Sequence, residues 1–355
     1  MSLEELLAKL ISFKTITGNH KEVKEAYKFI KSYLGKDFYY KDICYNDFHS
    51  LLISNTKSMT DFDILFNGHI DVVQASDSDF VARIEDDKMY GRGTIDMKGQ
   101  IATILHTLKN TNSTKHLGLL LTSDEEIGGH NGAEPICIHE NLSAKIVIIP
   151  DAGENFTFVD SEKALLQLDL VTTGTPAHAS VPHLGKNAII EACNAYNELC
   201  EAYNIDPNTP INDEISINFS KIESGDLYNK VPGIANWALD IRHSHIKRKD
   251  IEKILSTICK KHNTIYSIHN YADEYRCDLK NPEIVNFIKV CENHLGRKLE
   301  HINENGASDI GYFCKIKLPA VSINPEGYNL HSDNEYIIIS SLYKYKDMIV
   351  AYINN

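Results

Sequence analysis

The stretch Asp63-Ile-Leu-Phe-Asn-Gly-His-Ile-Asp71 decides how the rest of the chain is read. Ile64, Leu65 and Phe66 form a short apolar run, as expected of a strand buried on both faces. The run then turns polar at Asn67-Gly68-His69-Ile70-Asp71. Two later stretches repeat the arrangement. Leu117–Thr122 runs into Ser123-Asp124-Glu125-Glu126, and residues 145–149 run into Pro150-Asp151-Ala152-Gly153. Between the first two lies a helical pattern that begins near Asp96 and carries Ile101, Ile104 and Leu105. Strands alternating with helices predict an α/β fold with a mostly parallel sheet. Ligands of such sheets gather beyond the carboxyl ends of the strands, where His69, Glu125, Glu126 and Asp151 fall.

Working outward, residues 2–12 and 20–34 have helical apolar spacing. The pattern changes after about residue 162. Residues 164–171 alternate as a strand, 187–202 are helical, 214–223 and 236–242 alternate, 249–260 are helical, and 264–271 read as a strand. That β-α-β-β-α-β order predicts an inserted ferredoxin-like α+β domain over 163–275. The flanking parts, 1–162 and 276–355, then form one catalytic α/β domain. In the second part, 282–294 is helical with Pro282 in the first turn, 319–323 is a buried strand, and 335–352 is a final helix.

A chain of 355 residues exceeds the usual limit for a single core, which agrees with two domains. Lys and Arg number 36 against 49 Asp and Glu, a net charge of −13. That balance argues against nucleic acid or an anionic membrane as partner. The N-terminus has acidic residues inside an amphipathic pattern and no apolar core of a signal peptide, and no stretch is long enough to span a bilayer. A cytoplasmic protein is expected. The eight cysteines are scattered without a CxxC pair and read as reduced thiols.

The chemistry is carried by polar clusters. His69 has a carboxylate, Asp71, two residues on that could orient its ring. Asp96 lies in Gly91-Arg-Gly-Thr-Ile-Asp-Met-Lys-Gly99, at a loop-to-helix junction where a helix N-cap is the competing reading. Asp151 reads as well as a simple turn residue. His331, in Asn329-Leu-His-Ser-Asp333, would by itself be an ordinary surface or core histidine. Together, two histidines and several carboxylates suit borderline-hard divalent ions. The adjacent Glu125 and Glu126 then divide the work: one binds metal while the other moves a proton.

Five strings, FNGHIDVV, GRGTIDMKG, TSDEEIGG, PDAG and NLHSDNEY, resemble in order the motifs of the metallopeptidase family M20, and the resemblance spans nearly the whole chain. The family comprises deacylases, carboxypeptidases and dipeptidases. It implies two divalent metal ions, expected here as zinc with cobalt or manganese as alternatives. His69 and Asp151 would each hold one ion, Glu126 and His331 the other, and Asp96 would bridge both. Glu125 would be the general base, Asp71 would support His69, and a cis peptide would follow Asp96.

The resemblance extends to the inserted domain, which in the family is a lid that usually dimerises. Gly174-Thr-Pro-Ala-His-Ala-Ser-Val-Pro182 resembles the lid motif whose histidine, here His178, reaches the partner subunit's site. Asn229, and Arg242 in Asp240-Ile-Arg242, resemble contacts to a substrate carboxylate. For Arg242 a strand-end ion pair with Asp240 is the alternative. Gly306-Ala-Ser308-Asp309 resembles a substrate-binding turn, and the family's usual arginine three residues after that serine is missing. The expected reaction is hydrolysis of an N-acyl amino acid, of desuccinylase or deacetylase type, by a homodimer. Asp151, where deacylases usually carry Glu, keeps dipeptide hydrolysis as the alternative. A non-catalytic binding relative would have lost a ligand or the base, and every such position is filled.

Overall fold

The computed structural model describes residues 1–206 and 214–355. The fold is mixed α/β, and the chain divides into two compact units: Met1–Ser161 with Tyr275–Glu304 and Ser308–Asn355, and Glu162–Glu274 with Asn305–Ala307.

The first unit is built on a six-stranded sheet ordered Tyr39–Tyr45, Phe48–Ser54, Leu117–Thr122, Asp61–His69, Ser143–Ile148, Ala320–Val321. The last four strands are parallel. Leu117–Thr122 is buried throughout, and so are the last six residues of Asp61–His69. Alternate side chains serve opposite faces. Phe66, Leu119 and Leu121 face a core with the helices Leu3–Ile11, His20–Leu34, Gly99–Asn110, Pro282–Leu295 and Ile339–Asn354. Leu65, Leu120 and Val147 face a smaller core with Ala133–His139 and Ile310–Lys315. Coverage of both faces is why these strands are continuously apolar rather than alternating.

The first two strands of this sheet have no counterpart among the sequence expectations. They form a hairpin whose two-residue turn, Asn46-Asp47, has φ of 46° and 68°. Asn and Asp tolerate that left-handed backbone, which matches the twist of the strands. The final helix also departs from expectation. It begins at Ile339, because Tyr336–Ile338 are drawn into a ladder with Lys88–Tyr90.

The second unit is a four-stranded antiparallel sheet ordered Ile215–Ser224, Ile234–His243, Ala164–Thr173, Thr264–Ala272. The helices Ala188–Ala202 and Arg248–Lys261 share its core. Leu166, Leu168, Leu170, Trp237, Leu239 and Ile241 meet Ala192, Leu199, Ile251 and Leu255 there. Asn187 caps the first helix by accepting the Ile189 N–H at 2.9 Å. Among the described residues, no helix is long and apolar enough to cross a membrane.

Candidate active site

The seven residues expected to hold metal or serve catalysis come together at the carboxyl end of the first unit's parallel strands. His69 is the last residue of its strand, Glu125 and Glu126 follow Leu117–Thr122, and Asp151 follows Ser143–Ile148. Asp96 arrives from an irregular turn, Thr94–Lys98, that contains the cis peptide Asp96–Met97. It is not a helix N-cap: the helix begins at Gly99. A Cβ on Gly99 would stand 2.3 Å from the Thr94 carbonyl oxygen, so only glycine lets the turn close onto the helix start.

Asp96 is the centre of the cluster. Its Oδ1 lies 2.9 Å from His69 Nε2 and its Oδ2 lies 2.8 Å from His331 Nε2. His69 Nε2 is also 3.4 Å from Asp151 Oδ1. His331 Nε2 is 3.0 Å from Glu126 Oε2. Ligand atoms of His69, Asp96 and Glu126 lie within 4.8 Å of one another, as do those of His69, Glu125 and Asp151. The donor set fits divalent cations: imidazole nitrogens and carboxylate oxygens, with carboxylates in excess of the histidines.

Asp71 has a wider task than orienting a ring. His69 Nδ1 lies 3.0 Å from the Asp71 backbone oxygen and 3.5 Å from its carboxylate. The same carboxylate accepts the Thr17 hydroxyl at 2.9 Å and the backbone N–H groups of Glu125 and Glu126 at 3.4 Å. One buried side chain thus supports both the histidine strand and the glutamate loop.

Electrostatics follow from burial and crowding. Burial, reinforced by Asp151, Asp309 and Glu126, pushes the Glu125 carboxyl well above its ordinary range. Hydrogen bonds from His331 to Asp96 and Glu126 raise that imidazole to about 10. For Asp96, burial works upward, but the two histidines outweigh it and hold the carboxyl below its usual value. Divalent cations would invert the local preference for protonated carboxyls.

Two carboxylates here went unassigned in the sequence. Asp309 is buried and accepts the Thr122 hydroxyl at 3.1 Å. A Cβ on Gly129 would come 2.4 Å from its Oδ1, and Gly129 has φ of 66°. Glu335 takes the Arg92 guanidinium at 2.8 Å and the N–H groups of Gly93 and Ile95 at 2.9 and 3.0 Å. Both lie inside matched stretches, Asp309 in 306–309 and Glu335 in 329–336, where the motifs assign them no separate role.

The remaining candidates are placed as follows. Ser308 belongs to the first unit, where its Oγ accepts the Ile310 N–H at 3.4 Å, while Gly306 groups with the second. His178, Asn229 and Arg242 all belong to the second unit. There the Ala179 N–H donates to the Asn229 carbonyl at 2.9 Å, and the exposed His178 has Nδ1 2.8 Å from the Ser180 hydroxyl. Arg242 makes the strand-end ion pair: its Nε and Nη2 lie 2.7 and 3.2 Å from the two Asp240 oxygens.

The chain is similar to known proteins over most of its length. Succinyl-diaminopimelate desuccinylase from Rickettsia bellii is 27% identical over 312 residues, covering 81% of this chain and 79% of the relative. A tripeptidase structure from Staphylococcus aureus superposes with a TM-score of 0.81 at 18% identity, covering 99% of this chain and 96% of that one. An M20 family metallo-carboxypeptidase from Sulfolobus solfataricus gives a TM-score of 0.80 at 20% identity, covering 99% and 98%. Residues 65–355 match the model of peptidase family M20/M25/M40, and the chain belongs to that family.

Proposed function

We propose that this protein hydrolyses the amide bond of an N-acyl amino acid, of desuccinylase or deacetylase type, at a centre for two divalent ions. The observation that carries the reading is the Asp96 carboxylate, with one oxygen on His69 and the other on His331. His69 and Asp151 would hold one ion, Glu126 and His331 the other, and Asp96 both. Zinc is the ion we favour, because neutral imidazole and carboxylate suit it. Ions held there would acidify water and polarise the scissile carbonyl.

Glu125 is the base. It stands among other carboxylates, its own makes no hydrogen bond to the backbone of the described residues, and its Oε2 lies 4.0 Å from His69 Nε2. It takes a proton from the water as oxygen adds to the carbonyl carbon, and returns it to the nitrogen as the C–N bond breaks. Asp71 holds the Glu125 and Glu126 N–H groups, which fixes the base relative to the histidine strand.

The second unit is read as a ferredoxin-like lid through which the protein dimerises, with the catalytic domain over 1–162 and 276–355 and the lid over 163–275. Its strand order and directions support the first part of that reading. The exposed Ile222, Leu227, Tyr228 and Ile234 around one hairpin turn support the second, as apolar surface of this kind marks interfaces. His178 from the partner, with Asn229, Arg242, Gly306 and Ser308, would bind substrate.

Cleavage of a dipeptide is the second reading, favoured by Asp151. Metal analysis and a panel of N-succinyl amino acids, N-acetyl amino acids and dipeptides test both. Turnover of an N-acyl compound with dipeptides inert is the expected result; the reverse replaces it with the second reading. Hydrolysis of neither, with metal bound, overturns both.

A further inference from the structure

Glu335 joins two parts of the site that the backbone leaves apart. It follows His331 in a segment where residues 328–334 are all exposed. Three of these, Asn329, His331 and Asn334, have left-handed backbone angles, with φ of 62°, 59° and 58°. Such a segment has little packing of its own to hold an imidazole in place, and the His331 side chain is 50% exposed. Glu335 is its first buried residue, at 3% exposure.

The Glu335 carboxylate gathers the loop that carries Asp96. Oε2 accepts the Arg92 guanidinium at 2.8 Å and the Gly93 N–H at 2.9 Å. Oε1 accepts the Ile95 N–H at 3.0 Å, the Asp96 N–H at 3.4 Å and the Thr94 hydroxyl at 3.4 Å. The Glu335 carbonyl in turn accepts the Gly91 N–H at 3.0 Å. Every one of these partners is a donor, so the position calls for a group with two acceptor oxygens and no hydrogen of its own, as an ionised carboxylate supplies. The loop is irregular and its N–H groups have no helix or strand to satisfy them.

We propose that Glu335 is a positioning residue for the metal centre. It latches the Asp96 loop to the His331 segment and thereby sets the separation of two of the three ligands, Asp96, Glu126 and His331, that share one ion. Asp96 would serve both ions and His331 only one, so the ion shared with Glu126 has two ligands on the latch and the ion shared with His69 and Asp151 has one. The inference rests on the two-metal reading above.

Zinc titrated calorimetrically into the metal-free wild type, Glu335→Gln and Glu335→Asp tests it, with circular dichroism used to work where each protein is folded. Gln turns one acceptor into a donor facing donors; Asp keeps the charge but shortens the reach. In Glu335→Gln the affinity for one of two ions should fall about 10- to 100-fold, the usual effect of removing a group that orients a ligand, while the affinity for the other falls less. kcat should fall with KM little changed, and Glu335→Asp should recover part of both losses. Wild-type affinity for both ions in a folded variant overturns the latch, as does equal weakening of both. Failure of both variants to fold makes Glu335 a folding residue and also overturns it. A wild type that binds fewer than two zinc ions overturns the two-metal reading itself, and the latch with it.

Discussion

His331 Nε2 stands 2.8 Å from Asp96 Oδ2, although one residue comes from an early loop and the other from the approach to the last helix. The contact brings a ligand across most of the chain's length to a carboxylate whose other oxygen already meets His69. The centre is therefore assembled by folding rather than by any local motif, and each support is open to test.

Glu125→Gln should keep its metal and lose turnover. A general base contributes about 10²- to 10⁴-fold, so kcat should fall by at least about 100-fold with two ions still bound per chain. Steady-state kinetics beside elemental analysis checks this, and near wild-type turnover would remove Glu125 from the mechanism.

Removing the metal should abolish activity and lower the melting temperature. A ligand bound only by the native state at about 100 times its Kd stabilises it by about 2.7 kcal/mol. Chelation followed by thermal unfolding, then re-addition of zinc, cobalt or manganese, measures both effects. An unchanged melting temperature after complete metal loss would contradict the assignment.

Asp71→Asn should weaken metal binding and turnover together, by about 10- to 100-fold, since the residue supports His69 and the N–H groups of Glu125 and Glu126. Equilibrium dialysis with zinc distinguishes this from a loss confined to kcat, which would leave Asp71 with a role in proton transfer alone.

Gly99→Ala should destabilise the fold by about 1–3 kcal/mol, because the added Cβ would meet the Thr94 carbonyl oxygen at 2.3 Å and Ile337 at 2.8 Å. The strain falls on the turn carrying Asp96, so zinc affinity should drop as well. Urea unfolding that matches the wild type would show that the turn has room to relax.

Asp63 gives a pH dependence remote from the metal centre. The Lys145 ammonium and the His116 N–H, at 2.7 Å each, hold its carboxyl below the ordinary value. A depressed carboxyl stabilises the native state above its unfolded pKa of about 3.9, and the contribution is lost as pH falls through the folded value. Its side chain is 29% exposed, so the effect is about 1 kcal/mol or less. Asp63→Asn should be less stable than the wild type in urea at pH 7, and the gap should close towards pH 3. A gap of constant size would mean that charge is not its source.

Much of the molecule is determined locally. Apolar runs such as Leu117–Thr122 can satisfy themselves only as strands covered on both faces, so the α/β framework is legible in the amino-acid sequence. Each run's polar end then falls at the rim where ligands gather, which is why His69, Glu125, Glu126 and Asp151 could be named from spacing and order. The α+β pattern of the second unit is legible for the same reason: period-2 and helical spacings differ. Tertiary structure alone decided the rest. Hydrogen-bond partners of an irregular loop carry no periodicity, so nothing in the sequence joined Glu335 to the N–H groups of Gly93, Ile95 and Asp96. The start of the last helix moved to Ile339 because a ladder with Lys88–Tyr90 outcompetes a helical turn. Asp71 shows the same division: its place beside His69 is written in the chain, but its hold on the glutamate loop exists only once two parallel strands stand side by side.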